Sequence, residues 1–142
     1  MILIDANIIL YANDELSPQH RPAMAWWDRQ LSGTAPVCLC WPVIMAFVRV
    51  STNRRALARP LTIEMAIERV GAWLAQPVVR VLSPTSNHWS IVSDLLVRAQ
   101  AVGNLVTDAE VAALAIEYGC ELQSTDADFS RFPGLKWRNP LA

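Results

Sequence analysis

Four aspartates stand where a carboxylate can do chemistry. Asp5 breaks the apolar run MILIDANIILYA, Asp108 lies in Thr107-Asp108-Ala109-Glu110, and Asp126 and Asp128 lie in Ser124-Thr125-Asp126-Ala127-Asp128-Phe129. Carboxylates gathered into one pocket repel one another, and a fold keeps such a group mainly where a cation neutralises it. Donor sets made only of oxygen favour Mg²⁺ or Mn²⁺ over zinc or copper. Mg²⁺ commonly takes one or two carboxylates, retains several waters and completes its shell with substrate phosphate. The outline is that of a phosphoryl-transfer site. Each acid also has a purely structural role open to it. Asp108 suits a helix N-terminus, where its charge meets the dipole, and Glu110 completes a capping box with Thr107. Asp5 could turn the chain through its own side chain, and Asp126 or Asp128 could cap the short segment before Pro133. Asn7 and Asn104 suit turns.

The surrounding elements must bring these acids together. Met1–Ile4 reads as a buried strand ending at Asp5. Ser17-Pro18 predicts a helix start, with the helix running to about Leu31 and stopping at Ser32-Gly33. Val37–Cys40 is a second strand, followed by a helix from about Pro42 to Thr52. Thr62 caps a helix with Ile63, Ala66, Ile67, Val70 and Leu74 at helical spacing, and Val78–Leu82 is a third strand. Thr85 or Ser86 opens a helix to about Ala101, closed by Gly103. The capping box at Thr107 opens another, which Gly119 ends after Tyr118. Glu121–Ser124 is a fourth strand, and Lys136–Arg138 a short fifth. Strands alternating with helices predict an α/β fold of three layers, its parallel sheet covered on both faces. Ligands of such sheets bind beyond the carboxyl ends of the strands, where strand order reverses. If the first and fourth strands are neighbours, Asp5, Asp108, Asp126 and Asp128 converge there.

Composition narrows the classes. The 142 residues suit one domain, 1–142. With 53% hydrophobic and 18% charged residues, general disorder is excluded. Twelve basic and thirteen acidic residues leave a net charge of −1, which excludes a generally basic nucleic-acid coat protein. Lys136 is the one lysine among the cations, and arginine forks suit phosphate. Arg49, Arg54 and Arg55, on or just past the predicted Pro42–Thr52 helix, could grip phosphates or simply form a solvated helix end. Cys38, Cys40 and Cys120 offer no C-x-x-C pair, so zinc is not expected and the thiols should be reduced and buried. No apolar run approaches a membrane span, which predicts a soluble, cytoplasmic protein. Of the six tryptophans, Trp26, Trp27 and Trp73 lie on helical faces that suit a core or subunit interface.

Four segments, taken together, resemble a family. MILIDANIILYA, WPVIMAFVRVSTNRR, NLVTDAEVAALAIEYG and ELQSTDADFSRFPGLKWRNPL occur in the order found in the PIN-domain ribonucleases, and within them in the VapC-type toxins of bacterial toxin–antitoxin pairs. The resemblance implies a PIN-like domain with a sheet of four to five strands, cutting RNA with Mg²⁺ or Mn²⁺. It implies Asp5, Asp108 and Asp126 as the metal-binding acids, with Asp128 in the adjacent, more variable acidic place. Asn7 and Thr125 match polar positions that usually lie beside the pocket. It further implies a cognate VapB-type antitoxin and a homodimer. One position departs. Many PIN nucleases carry a glutamate where this chain has Ala46, so the chain belongs either to a branch with alanine there or to an inactivated variant. A haloacid-dehalogenase-like phosphatase, which would need a second aspartate where Asn7 stands, and a non-catalytic PIN relic acting as a binding module are the alternative readings.

Overall fold

The computed structural model describes residues 1–142. The first apolar run forms β1 (Ile2–Ile4), and the chain continues through α1 (Ala6–Asn13) and α2 (His20–Ser32) to β2 (Val37–Leu39). Next come α3 (Trp41–Ser51), α4 (Ile63–Leu74) and β3 (Val79–Val81), then α5 (His88–Ala99), α6 (Asn104–Tyr118) and β4 (Glu121–Gln123). A 3₁₀ turn (Ala127–Arg131) leads to β5 (Trp137–Arg138). The sheet order is β3-β2-β1-β4-β5, with every pair parallel. The sheet has five strands, and β1 and β4 are neighbours as the convergence of the acids requires.

The central strands are apolar because both faces of the sheet are covered. Leu3, Ile4, Val37, Cys38, Leu39 and Leu122 are fully buried, as expected of strands inside a three-layer sandwich. Trp27 meets Trp73 edge-on at 5.8 Å, and Phe47 meets Trp73 at 4.8 Å. Trp26, Trp27 and Trp73 are therefore core residues. All three cysteines are free and buried.

Three expectations change. First, α1 stands where no separate helix was expected. Asp5 caps it by accepting from the Ala6 amide at 2.8 Å, and Ile8, Ile9 and Ala12 supply a buried face. Second, Ser17-Pro18 forms a turn, not the helix start. The Ser17 hydroxyl accepts from the Gln19 amide, and α2 begins at His20 without a side-chain cap. Third, Thr107-Glu110 is no capping box. Gly103, at φ +59°, is the N-cap of α6, and a positive φ there favours glycine. The helix thus begins at Asn104, burying Leu105 in its first turn. Asp108 and Glu110 consequently lie inside the helix, and α5 ends at Ala99 with Gln100 in the left-handed region, before Gly103.

Candidate active site

Strand order reverses at β1, whose neighbours are β2 on one side and β4 on the other. Asp5 leaves the carboxyl end of β1, its amide bonded to the Gln123 carbonyl at 3.0 Å. Asp126 follows the carboxyl end of β4 on the adjoining strand. The topology alone places the two carboxylates at the crevice where parallel sheets bind ligands.

Ser124 organises this edge. Its buried hydroxyl donates to Asp5 Oδ2 at 2.7 Å and accepts from Asn7 Nδ2 at 3.1 Å and from the Asp126 amide at 3.0 Å. One donor and two acceptor positions are all that a hydroxyl possesses, so Ser124 is saturated. Its carbonyl accepts from the Trp137 indole at 2.9 Å, fastening β5 behind it. Asn7 lies beside the pocket, donating to Ser124 and receiving the Thr125 amide at 3.5 Å. Thr125 takes part through its backbone. The central hydroxyl is Ser124, a residue not singled out from the sequence; its one visible signal is a small polar residue directly after an apolar strand.

Asp126 Oδ1 accepts from the Asp128 amide at 2.9 Å and so caps the 3₁₀ turn. The cap uses only one carboxylate oxygen, so it leaves the second available for chemistry. Asp108 projects from α6, half-buried. Burial raises its pKa to about 6, and the charges of Asp5, Asp126 and Asp128 push in the same direction. Burial also raises Asp5, with the Ser124 and Ala6 hydrogen bonds opposing and Asp126 adding to the rise. These four acids thus share one electrostatic environment.

A cavity of about 660 Å³ opens over them, lined by Asp5, Asn7, Asp108 and Asp126 with Ala46 and Arg49 of α3. Asp128 is exposed at its edge, outside the lining. Arg54 and Arg55 stand in the exposed turn after α3 and do not reach the cavity. No three His, Cys, Asp or Glu side chains close around one point as a ready-made ligand set. A Mg²⁺-like ion needs only one or two carboxylates beside water and phosphate, so this all-oxygen, mutually repelling group fits one. A second cavity of about 460 Å³, between the end of α1, α2 and α4, contains none of the four acids. The histidines lie elsewhere: His20 Nδ1 is bonded to the Tyr11 carbonyl, and His88 Nδ1 to Glu117 at 2.6 Å.

Comparison with known proteins gives concordant results. A family model described as PIN domain matches residues 2–135. Ribonuclease VapC33 of Mycobacterium tuberculosis is 42% identical over 141 residues, covering 99% of both chains. Ribonuclease VapC37 of the same organism is 41% identical over 142 residues, covering 100% of this chain and 99% of that one. Among solved structures, M. tuberculosis VapC20, described as a sarcin-ricin loop cleaving toxin, superposes with a TM-score of 0.69 at 22% identity, covering 96% of this chain and 99% of that one. VapBC-1 from nontypeable Haemophilus influenzae gives 0.68 at 20% identity, with both chains fully covered. At these identities the structures speak to the shared fold.

Proposed function

The chain belongs to the PIN-domain family as a VapC-type ribonuclease of the toxin–antitoxin class, and from that premise we propose that it cuts RNA with Mg²⁺ or Mn²⁺ held by Asp5, Asp108 and Asp126. The observation that carries this reading is the crowding of carboxylates at the strand-order reversal, where burial raises both Asp5 and Asp108, Asp126 adds to the rise of Asp5, and Asp5 adds to that of Asp108. Asp5, Asp126 and Asp128 all add to the cost of ionising Asp108 there, and no basic side chain is paired with any of the four. Asp5 and Asp108 are the main ligands; Asp126, assisted by Asp128, positions the attacking water or holds a further cation. The bound cation would polarise the scissile phosphate and lower the pKa of that water. Ser124 and Asn7 keep Asp5 and the start of the 3₁₀ turn in register. Arg49 grips a neighbouring phosphate, while Arg54 and Arg55 serve RNA arriving from outside the cavity. The partners are RNA, a cognate VapB-type antitoxin and a second copy of the chain. No helix is long and apolar enough to cross a membrane.

Purified protein with Mn²⁺ or Mg²⁺ should cleave RNA, lose that cleavage in excess EDTA and regain it when Mn²⁺ is restored. Cleavage undiminished by the chelator would overturn the metal site. The same assay decides the non-catalytic alternative, which predicts no cleavage at all. The haloacid-dehalogenase-like reading gives way to the family match, which spans nearly the whole chain.

Ala46 offers a second test. It lines the cavity together with Pro42 and Arg49 of the same helix face, so a longer side chain there projects toward the acids and away from Phe47 in the core. Ala46→Glu should therefore add an oxygen donor and tighten Mn²⁺ binding by about tenfold, the lower end of the scale on which a single supporting group alters metal affinity. Calorimetric titration of parent and variant reads this. Equal or weaker binding by the glutamate protein means the site is built around alanine, the added charge only crowding Asp5.

A further inference from the structure

Helix α3 leaves three side chains exposed along one line. Trp41, Met45 and Arg49 follow one another at intervals of four, while Val43, Ile44 and Phe47 behind them are buried. Residues four apart on a helix share a face and rise about 6 Å per step, a spacing suited to successive nucleotides of an extended single strand. Met45 and Arg49 line the carboxylate cavity. Trp41 begins the helix immediately after Cys40, whose thiol lies close enough to Asp5 to feel its charge. Trp41, one turn before Met45, lies outside the lining, so the stripe runs from the flank of the site into it.

Its chemistry is mixed in a telling way. Trp26, Trp27 and Trp73 are packed in the core, whereas the Trp41 side chain is 52% exposed. Arg49 sits in a cavity containing three aspartates yet forms an ion pair with none of them, which leaves its guanidinium fork free. A flat aromatic face and a free arginine are the two elements from which sequence-tolerant single-strand sites are built, bases stacking on the ring and phosphates held by the cation.

Resting on the ribonuclease reading above, we propose that Trp41, Met45 and Arg49 form a track that feeds single-stranded RNA into the cavity. One base stacks on the Trp41 indole, the next nucleotide crosses Met45, and Arg49 holds the phosphate entering the carboxylate site. Met45 and Arg49 belong to the lining of the cavity itself and Arg49 is free to take a phosphate, so the track is assigned to substrate.

The test is binding of a fluorescein-labelled oligoadenylate octamer, measured by anisotropy in the Asp108→Asn background, where cleavage is silenced. Trp41→Ala should bind about tenfold more weakly, the middle of the range for removing one base–aromatic stack. Trp41→Leu keeps apolar bulk without a flat π-face and should lose as much; Trp41→Phe should stay within about threefold of the parent. With Asp108 in place, Trp41→Leu should raise KM for RNA cleavage and leave kcat within about twofold. Equal octamer binding by all the variants would overturn the track. So would Leu and Phe variants behaving alike while sedimentation shows a parental dimer falling to monomer on Trp41→Ala, which identifies the stripe as a subunit contact. A parent that binds the octamer through Trp41 but never cleaves RNA would instead remove the ribonuclease reading and leave the binding track standing.

Discussion

Exchanging Asp108 for asparagine should slow RNA cleavage by more than about a hundredfold, yet leave the cation-free protein at least as hard to melt as the parent. The kinetic expectation follows from rank: partners that merely support a metal ligand cost about 10–100-fold when removed, and a ligand should cost more. The thermal expectation follows from linkage. In the fold Asp108 titrates near 6, against an ordinary value of 3.8. Between those values the native state binds a proton that the unfolded chain has released, so ionisation counts against folding. That favourable contribution is complete below about pH 4 and disappears as pH rises through about 6. Asparagine does not ionise, so melting temperatures of parent and variant should be similar near pH 4 and diverge in the variant's favour by pH 7. Mn²⁺ should raise the parent's melting temperature more than the variant's. An asparagine protein that cleaves normally but melts early would make Asp108 a helix-stabilising residue only.

Ser124→Ala should have the second-largest effect, and on both axes. The hydroxyl's loss strips a donor from Asp5 Oδ2 and leaves the Asn7 amide and the Asp126 N–H without their acceptor. An unsatisfied buried polar group costs about 1–3 kcal/mol, and urea titration should record a loss of that order. Asp5 should also become harder to ionise, because the Ser124 bond is the largest influence opposing its burial. Cleavage should fall by about 10–100-fold, the range for groups that orient a ligand. Thr125→Ala is the matched control. It joins the site through its backbone amide, so its loss should change stability and cleavage little. If the Thr125 variant is impaired and the Ser124 variant is not, the two residues must exchange roles.

The sheet and its acids were legible because both depend on simple patterns. Short apolar runs separated by helical periodicity leave few options besides a parallel sheet, and a carboxylate directly after such a run marks a strand's carboxyl end. Asp5 and Asp126 could be placed from that alone. What escaped was set by local competition. The segment Ile8-Ile9-Leu10 is apolar without a visible period, so nothing announced α1; its start is fixed by the Asp5–Ala6 cap, a role hidden beneath the chemical one. The start of α6 is obscured because Thr107-Glu110 is a sound cap in isolation, whereas Gly103's backbone freedom and Leu105's burial open the helix four residues earlier. Ser124 was passed over in favour of its neighbour because alternation along a strand end decides which of two hydroxyls turns inward. Arg54 and Arg55 follow Arg49 in sequence, but α3 ends at Ser51 and the chain turns outward, Leu61 returning to bond the Ser51 carbonyl at 2.8 Å.

The bond between Ser124 and Asp5 joins residues 119 apart, and the neighbouring strands β1 and β4 carry the same separation along the whole of their pairing. A ribosome delivers those partners in sequence. For most of translation Asp5 has been made and β4 has not, so the crevice has one wall and its acids have no common centre. Long-range parallel pairing is also slow to form once both strands exist. On the metal-site reading above, a chain that severs RNA would thus gain its full acidic group only once the segment bearing Asp126 has joined the first strand.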